Sequence, residues 1–206
     1  MILNINATRM ELLRLKKRLQ IAQRGHKLLK DKRDELMRQL LSIIDEVKNL
    51  RFSIEKEFQS ILESFMLAKA EMGPFQMEQE LLLPTKTISV SVEQKNLMSV
   101  HVPVYTREVK GDIISYGYFN TSGELDVSLI KFDEFIESLL ALAEKEKTVQ
   151  LLANEIEETR RRVNALEYKL IPNLIETIKS ITMKLSETEL ANTVRLMKIK
   201  DMVRSH

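Results

Sequence analysis

From Leu12 to Ile54 the apolar residues of this chain recur in alternating steps of three and four. They are Leu12, Leu15, Leu19, Ala22, Leu29, Leu36, Leu40, Ile43, Val47, Leu50 and Ile54. That spacing places them on one narrow stripe of an α-helix. Only His26 and Arg33 interrupt the stripe with polar side chains. A stripe so long and narrow serves as a seam for another helix rather than as one wall of a globular core. A second helical pattern of comparable length fills the C-terminal third. Its steps are Leu152, Ile156, Val163, Leu166, Leu170, Leu174, Ile178, Ile181 and Leu185, with Leu190, Val194 and Met197 carrying the stripe onward.

The first helix is expected to start at Asn6 or Thr8, where a short polar side chain can cap the free amides, and Glu11 stands at capping-box spacing from Thr8. It should run to about Met72, where Gly73-Pro74 stops it. After Ile54 the ladder slips to Phe58, Ile61 or Leu62, and Phe65, which reads as a stutter that relaxes the supercoil. The second helix is expected from about Glu124 to Val203, and Pro172 inside it removes one backbone hydrogen bond and should bend it.

Between the helices the period changes. Thr87-Ile-Ser-Val-Ser-Val92 alternates as a half-buried strand does, and Leu97-Met-Ser-Val-His-Val102 repeats the pattern after Glu93-Gln-Lys-Asn96. These read as a β-hairpin whose second strand Pro103 limits; Thr87, Val90, Val92, Val100 and Val102 are its marker positions. Ile113–Tyr118 reads as a third extended piece, and Asn120-Thr-Ser-Gly123 is turn chemistry. The expected fold is mainly α: a long antiparallel two-helix coiled-coil hairpin with a small β-hairpin insert in the middle of the chain. Its divisions are 1–73 for the first helix, 74–124 for the insert and 125–206 for the second helix.

Charge adds a polarity. Residues 8–38 hold eleven Lys/Arg against four acids, and 195–206 hold Arg195, Lys198, Lys200 and Arg204 against Asp201. Those segments carry +7 and +3, so with +2 overall and an uncharged 1–7 the remainder, 39–194, carries −8. Folded back antiparallel, the helices would give a rod with a basic tip and an acidic body.

With no cysteine there are no disulfides, thiolate metal sites or cysteine nucleophiles. Gly111, Gly117 and Gly123 lack phosphate-loop spacing, and His26, His101 and His206 form no zinc set. No catalytic constellation and no cofactor site is expected. No apolar run approaches the roughly 20 residues that span a bilayer, and no signal segment is evident. These point to a soluble protein of the cytoplasmic side. Three features invite a role beyond solvation. Gly25 lies mid-helix, either as a tolerated weakness or as a point of close approach by the facing helix. Arg160-Arg161-Arg162 should place at least one guanidinium near the seam or a partner. The basic tip could be a solvated surface, a nucleic-acid patch or a charge-complementary bearing.

The stretch Thr8-Arg-Met-Glu-Leu-Leu-Arg-Leu-Lys-Lys-Arg-Leu, followed by Ala22-Gln-Arg-Gly-His-Lys-Leu-Leu-Lys-Asp-Lys-Arg-Asp-Glu-Leu36, resembles the D subunit of the V-type/A-type rotary ATPases. Thr159-Arg-Arg-Arg-Val-Asn-Ala-Leu-Glu-Tyr168, then Ile171-Pro172 and Thr177-Ile178, is similar to that family's second signature, and Arg195-Leu-Met-Lys-Ile-Lys200 fits its tail. The resemblance implies a non-catalytic central-stalk rotor shaft, peripheral on the cytoplasmic side of the membrane. Its partners would be the hexamer of catalytic A and non-catalytic B subunits, the small F subunit of the stalk and a funnel-like subunit on the membrane ring. It would couple ATP hydrolysis or synthesis to proton or sodium ion transport without entering the membrane. Signature positions carried over are Gly25, His26, Arg160, Arg161, Arg162, Val163, Asn164, Leu166 and Glu167, beside Arg33 and Pro172 of the seam. Charge nominates Arg9, Arg14, Lys16, Lys17, Arg18, Arg195 and Lys198 as hexamer-facing bearing contacts. Two other classes compete. A passive coiled-coil tether would need neither the insert nor a distinct tip. A basic nucleic-acid-binding arm lacks a recognition motif and aromatic interleaving.

Overall fold

The computed structural model describes residues 6–204 apart from 83, 118 and 120. In chain order the elements are α1 (Arg9–Met72), α2 (Pro74–Glu80), β1 (Thr87–Leu97), β2 (Val100–Lys110), α3 (Gly123–Ala165), a π-helical turn (Leu166–Leu170) and α4 (Ile171–Arg204). Tyr118, Asn120 and His206, which figured in the sequence reading, lie outside the described residues. Two compact units emerge: one from residues 1–35 with 156–206, the other from 36–155.

In the first unit α1 pairs antiparallel with α4, so partner numbers fall as chain numbers rise: Arg9 meets Glu189 and His26 meets Glu167. Thr8 Oγ1 accepts the Glu11 amide at 3.2 Å, so the expected cap forms. The core is the seam itself. Leu15 and Ala22 are buried against Leu174 and Ile181, with Leu12, Leu19, Ile171, Ile178 and Leu185 packed around them.

Pro172 is accommodated by a change of helical pitch. A proline in an α-helix lacks the amide that would bond the carbonyl four residues back and collides with that carbonyl. Here the preceding turn widens, and the Ile171 amide donates to the Leu166 carbonyl five residues back. The extra residue rotates the stripe. Leu170, expected in the seam, is exposed, and Ile171 packs there instead. The seam also contains Thr159 and Thr177, both buried, which a ladder of apolar residues alone passes over. Thr177 Oγ1 donates to the Asn173 carbonyl at 2.6 Å, which is how a hydroxyl is tolerated there.

In the second unit the later part of α1 pairs antiparallel with α3. Lys145 meets Glu46, Phe58 stacks on Phe135 with ring centroids 5.4 Å apart, and Lys131 reaches Ser64. The slip expected after Ile54 is absent. Ile54, Ile61 and Ala68 are all buried, continuing one seven-residue track. The parallel track turns polar at Glu57 and Ser64, and that change imitates a slip. Ser64 fits because its hydroxyl donates to the Ser60 carbonyl at 3.2 Å. Helix α2, with Pro74 in its first turn as proline prefers, brings Met77 against Ala68, Leu125 and Tyr116. Ser122 caps α3, its hydroxyl accepting the Glu124 amide at 3.3 Å.

The hairpin differs from its expected form in three ways. Its turn is Met98-Ser99, not Glu93–Asn96, and both turn residues have positive φ (51° and 73°). Such a two-residue turn matches strand twist, and the Asn96 carboxamide oxygen accepts the Ser99 amide at 2.9 Å. Each strand therefore runs eleven residues. Pro103 lies inside β2 opposite Gln94 rather than ending it. The Tyr105 amide, two residues on, points away from β1 and donates to Glu144 on α3 at 3.2 Å. Pro103 shares that orientation, so its missing amide removes no bond to β1. Finally β1 is not half-buried: Val90 and Val92 are exposed, because β2 is the strand that packs on α3. Ile113–Tyr118 forms no strand among the described residues.

Candidate functional site

The first unit carries the basic segments on the opening turns of α1 and the closing turns of α4. Arg9 pairs with Glu189 at 2.5 Å and Arg14 with Glu11 at 3.3 Å. Lys16, Lys17, Arg18, Arg195 and Lys198 are exposed. Because Arg9 already stands beside Glu189, the last turns of α4 extend past the described start of α1. Leu190, Val194 and Met197, expected to continue the seam, are therefore exposed, as are Leu196, Ile199 and Val203. Leu190, Val194 and Met197 form one stripe, and Leu196, Ile199 and Val203 a second. On α1, Met10 and Leu13 are exposed beside the arginines. Sequence reasoning nominated only the cations here; the apolar half of the surface was hidden by its helical spacing, which mimics a seam.

One level further into the unit lie several signature residues. His26 Nε2 is 3.4 Å from the Glu167 carboxylate, an ion pair when the imidazole is protonated, so these two carried-over positions face each other. A methyl group built on Gly25 would meet nothing within 4 Å, which removes the close-approach reading of this glycine. Arg33 turns to its neighbour Asp34, with Nε and Nη2 at 2.9 and 2.7 Å from Oδ1. Arg161 and Arg162 form ion pairs one turn back with Glu157 and Glu158. Arg160 is exposed too, so none of the three enters the seam; Thr159 and Val163 occupy it. Asn164 is exposed, Leu166 half-buried, and Pro172 exposed.

In the second unit Val100 and Val102 are buried, while Thr87, Val90 and Val92 face solvent. An ionic cluster absent from the sequence reading anchors the hairpin. Asp133 of α3 binds Lys86, just before β1, and Arg107 of β2, whose Nη1 also reaches the Asp133 carbonyl at 2.9 Å. Burial alone would raise the Asp133 pKa. Hydrogen bonds from Lys86 and Arg107, and then their charges, outweigh it and hold the carboxyl below the ordinary aspartate value. Nothing in the spacing of 86, 107 and 133 could have revealed this cluster, since the pairing depends on strand register.

The chain matches the family model for the D subunit of ATP synthase over residues 11–201. It is 53% identical to the V-type ATP synthase D subunit of Fusobacterium nucleatum, over 98% of this chain and 97% of that protein. The protein of the same name from Clostridioides difficile is 54% identical over 98% and 92% of the two chains. That of Acetivibrio thermocellus is 51% identical over 98% and 93%.

Proposed function

Because the chain belongs to the family of ATP synthase D subunits, we propose that it works as the central-stalk rotor of a V/A-type ATPase, turning inside the hexamer without catalysing anything itself. As part of an ion-translocating complex it couples ATP hydrolysis or synthesis in the catalytic A and non-catalytic B subunits to proton or sodium ion movement through the membrane ring. The observation that carries the assignment of the hexamer-facing end is the run of exposed apolar and basic side chains on α4 from Leu190 to Arg204. A solvated helix end has no use for seven large exposed apolar residues, and such a surface suits burial in a partner. The cations Arg9, Arg14, Lys16, Lys17, Arg18, Arg195 and Lys198 add long-range attraction that tolerates sliding, because it depends weakly on register.

A rotor must present different faces to similar catalytic sites at one instant. The widened turn at Leu166–Leu170, the vacant flank at Gly25 and the His26–Glu167 pair occur on selected faces of the first unit and favour this role over that of a uniform tether. The segment 74–124, with its hairpin, is assigned to the small F subunit of the stalk and to the funnel-like protein of the ring; 1–73 and 125–206 supply the shaft. Peripheral placement at the cytoplasmic face follows from this role. Among the described residues no helix is long and apolar enough to cross a membrane.

Reconstitution tests the assignment. The full chain should co-purify with the A/B hexamer and the F subunit, and its omission should abolish ATP-dependent ion pumping. A complex that assembles and pumps ions without the chain would refute it.

A further inference from the structure

The widened turn Leu166–Leu170 in the first unit is a place where a helix can change pitch. Its own hold on the backbone is slight. The Ile171 amide donates to the Leu166 carbonyl, and Pro172 has no amide to offer. Packing adds little, because Leu166 is only half-buried and Glu167, Tyr168, Lys169 and Leu170 are exposed. The ion pair that reaches this turn from α1 is His26 with Glu167, at 3.4 Å. Its geometry is unfinished: His26 Nε2 is buried and makes no hydrogen bond. Within a turn of the pair, the other titratable side chains are Arg24, Lys27 and Lys30 on α1 and Tyr168 and Lys169 in the widened turn. All of these are exposed, so water screens the cations among them. A turn further back, Arg162 is paired with Glu158. Glu167 is thus the acid that a charged imidazole would meet.

We propose that His26 is a proton-operated latch on the widened turn. Charged, it draws in Glu167 and fixes Leu166–Leu170 against α1; neutral, it lets the turn loosen. Histidine is the side chain whose charge changes between about pH 5 and 8. A neutral imidazole offers the carboxylate either a lone pair, which is repelled, or one uncharged N–H. A protonated ring offers a charged donor, and a charge-assisted hydrogen bond is about twice as strong as a neutral one. The latch is therefore closed on the acid side of the histidine range and opens as pH rises through it. At still lower pH, where carboxylates take up protons, it is lost again. In a rotor the same device would stiffen the shaft as its surroundings acidify, a consequence that rests on the rotor reading, whereas the latch itself does not.

Hydrogen exchange of the full chain tests the latch, read as protection factors so that the intrinsic pH dependence of exchange cancels. The amides of Leu170, Ile171 and Asn173 should be about threefold better protected at about pH 5.5 than at about pH 8. Amides around Leu152, in the second unit, should show no such difference. His26→Gln and Glu167→Gln should each abolish it. Salt at about 1 M should shrink it in the native chain, an arm that needs no substitution. Equal protection at the two pH values would overturn the proposal, as would a difference that survives in Glu167→Gln or in high salt. A difference spread evenly over both units would overturn it too, since the proton would then act on the whole fold rather than on the turn. Ion pumping with and without the chain is measured separately and speaks only to the rotor role.

Discussion

Asp133→Asn removes one charge without changing shape, and its cost can be worked from the geometry. In the native protein one carboxylate forms ion pairs with both Lys86 and Arg107, whose side chains are only 15% and 14% exposed, and is itself 25% exposed. Breaking a fully buried pair costs about 3–5 kcal/mol because an uncompensated charge remains. Here partial exposure lets water screen the stranded cations, which lowers the figure to about 2 kcal/mol. The loss falls on the docking of β1 and β2 to α3, so hydrogen exchange of the strand amides reports it directly. At about 1.36 kcal/mol per factor of ten, exchange should accelerate about 30-fold. Exposed Asp112→Asn should change it by no more than about 0.5 kcal/mol. Replacing all three members with apolar side chains, Asp133→Leu with Lys86→Met and Arg107→Met, should restore most of the protection, because no buried charge is then left over. Strand exchange unchanged within a factor of two in Asp133→Asn would refute the view that this cluster anchors the hairpin.

Acid should release the same anchor: Asp133 has a lowered folded-state pKa, so its contribution is complete above the ordinary aspartate value and disappears as pH falls through the depressed one, which strand exchange against pH would reveal. Gly25→Ala should stabilise the protein by about 0.5–1 kcal/mol in denaturant unfolding, since helix propensity improves and the added methyl meets nothing within 4 Å. Gly111→Ala should do the reverse by about 1–3 kcal/mol, because φ is +89° and the new Cβ would lie 2.4 Å from the Thr85 carbonyl oxygen. At the α4 end two kinds of contact separate by salt. Arg195→Gln with Lys198→Gln should weaken hexamer binding and flatten its salt dependence, whereas Leu190→Ser with Val194→Ser should weaken it with the salt dependence unchanged. Identical salt profiles in the two variants would contradict the division.

The helices were legible because their signal is periodic and local. The seam from Leu12 to Ile54, the Thr8 cap and the stop at Gly73-Pro74 each follow from residues within a turn or two of one another. Errors arose where a local pattern had two physical readings. Ser64 in a polar track looked like a slip, Leu190 to Met197 looked like buried seam, and Met98-Ser99 looked like strand because neither is a customary residue for positive φ. Pro172 marks the irregularity in the sequence, but the wider turn that exchanges Leu170 for Ile171 depends on backbone hydrogen bonding rather than composition. The cluster of Lys86, Arg107 and Asp133 was invisible for another reason. Its members meet only after β2 has paired with β1 and settled on α3, so only tertiary structure brings them together. Gly25 and His26 stand out by their places on the first helix, Glu167 only through the family resemblance, and the geometry adds that His26 and Glu167 face each other.

Rotation itself is the most direct test. The chain has no cysteine, so Asp45→Cys on α1, at a side chain 78% exposed and outside the 74–124 segment, gives this chain a single attachment point for a bead on an assembled complex whose hexamer is fixed to glass. With ATP the bead should turn in one direction, at a rate that tracks hydrolysis, and it should stop when nucleotide is withdrawn. A bead that stays still while the same complexes hydrolyse ATP would contradict the central claim.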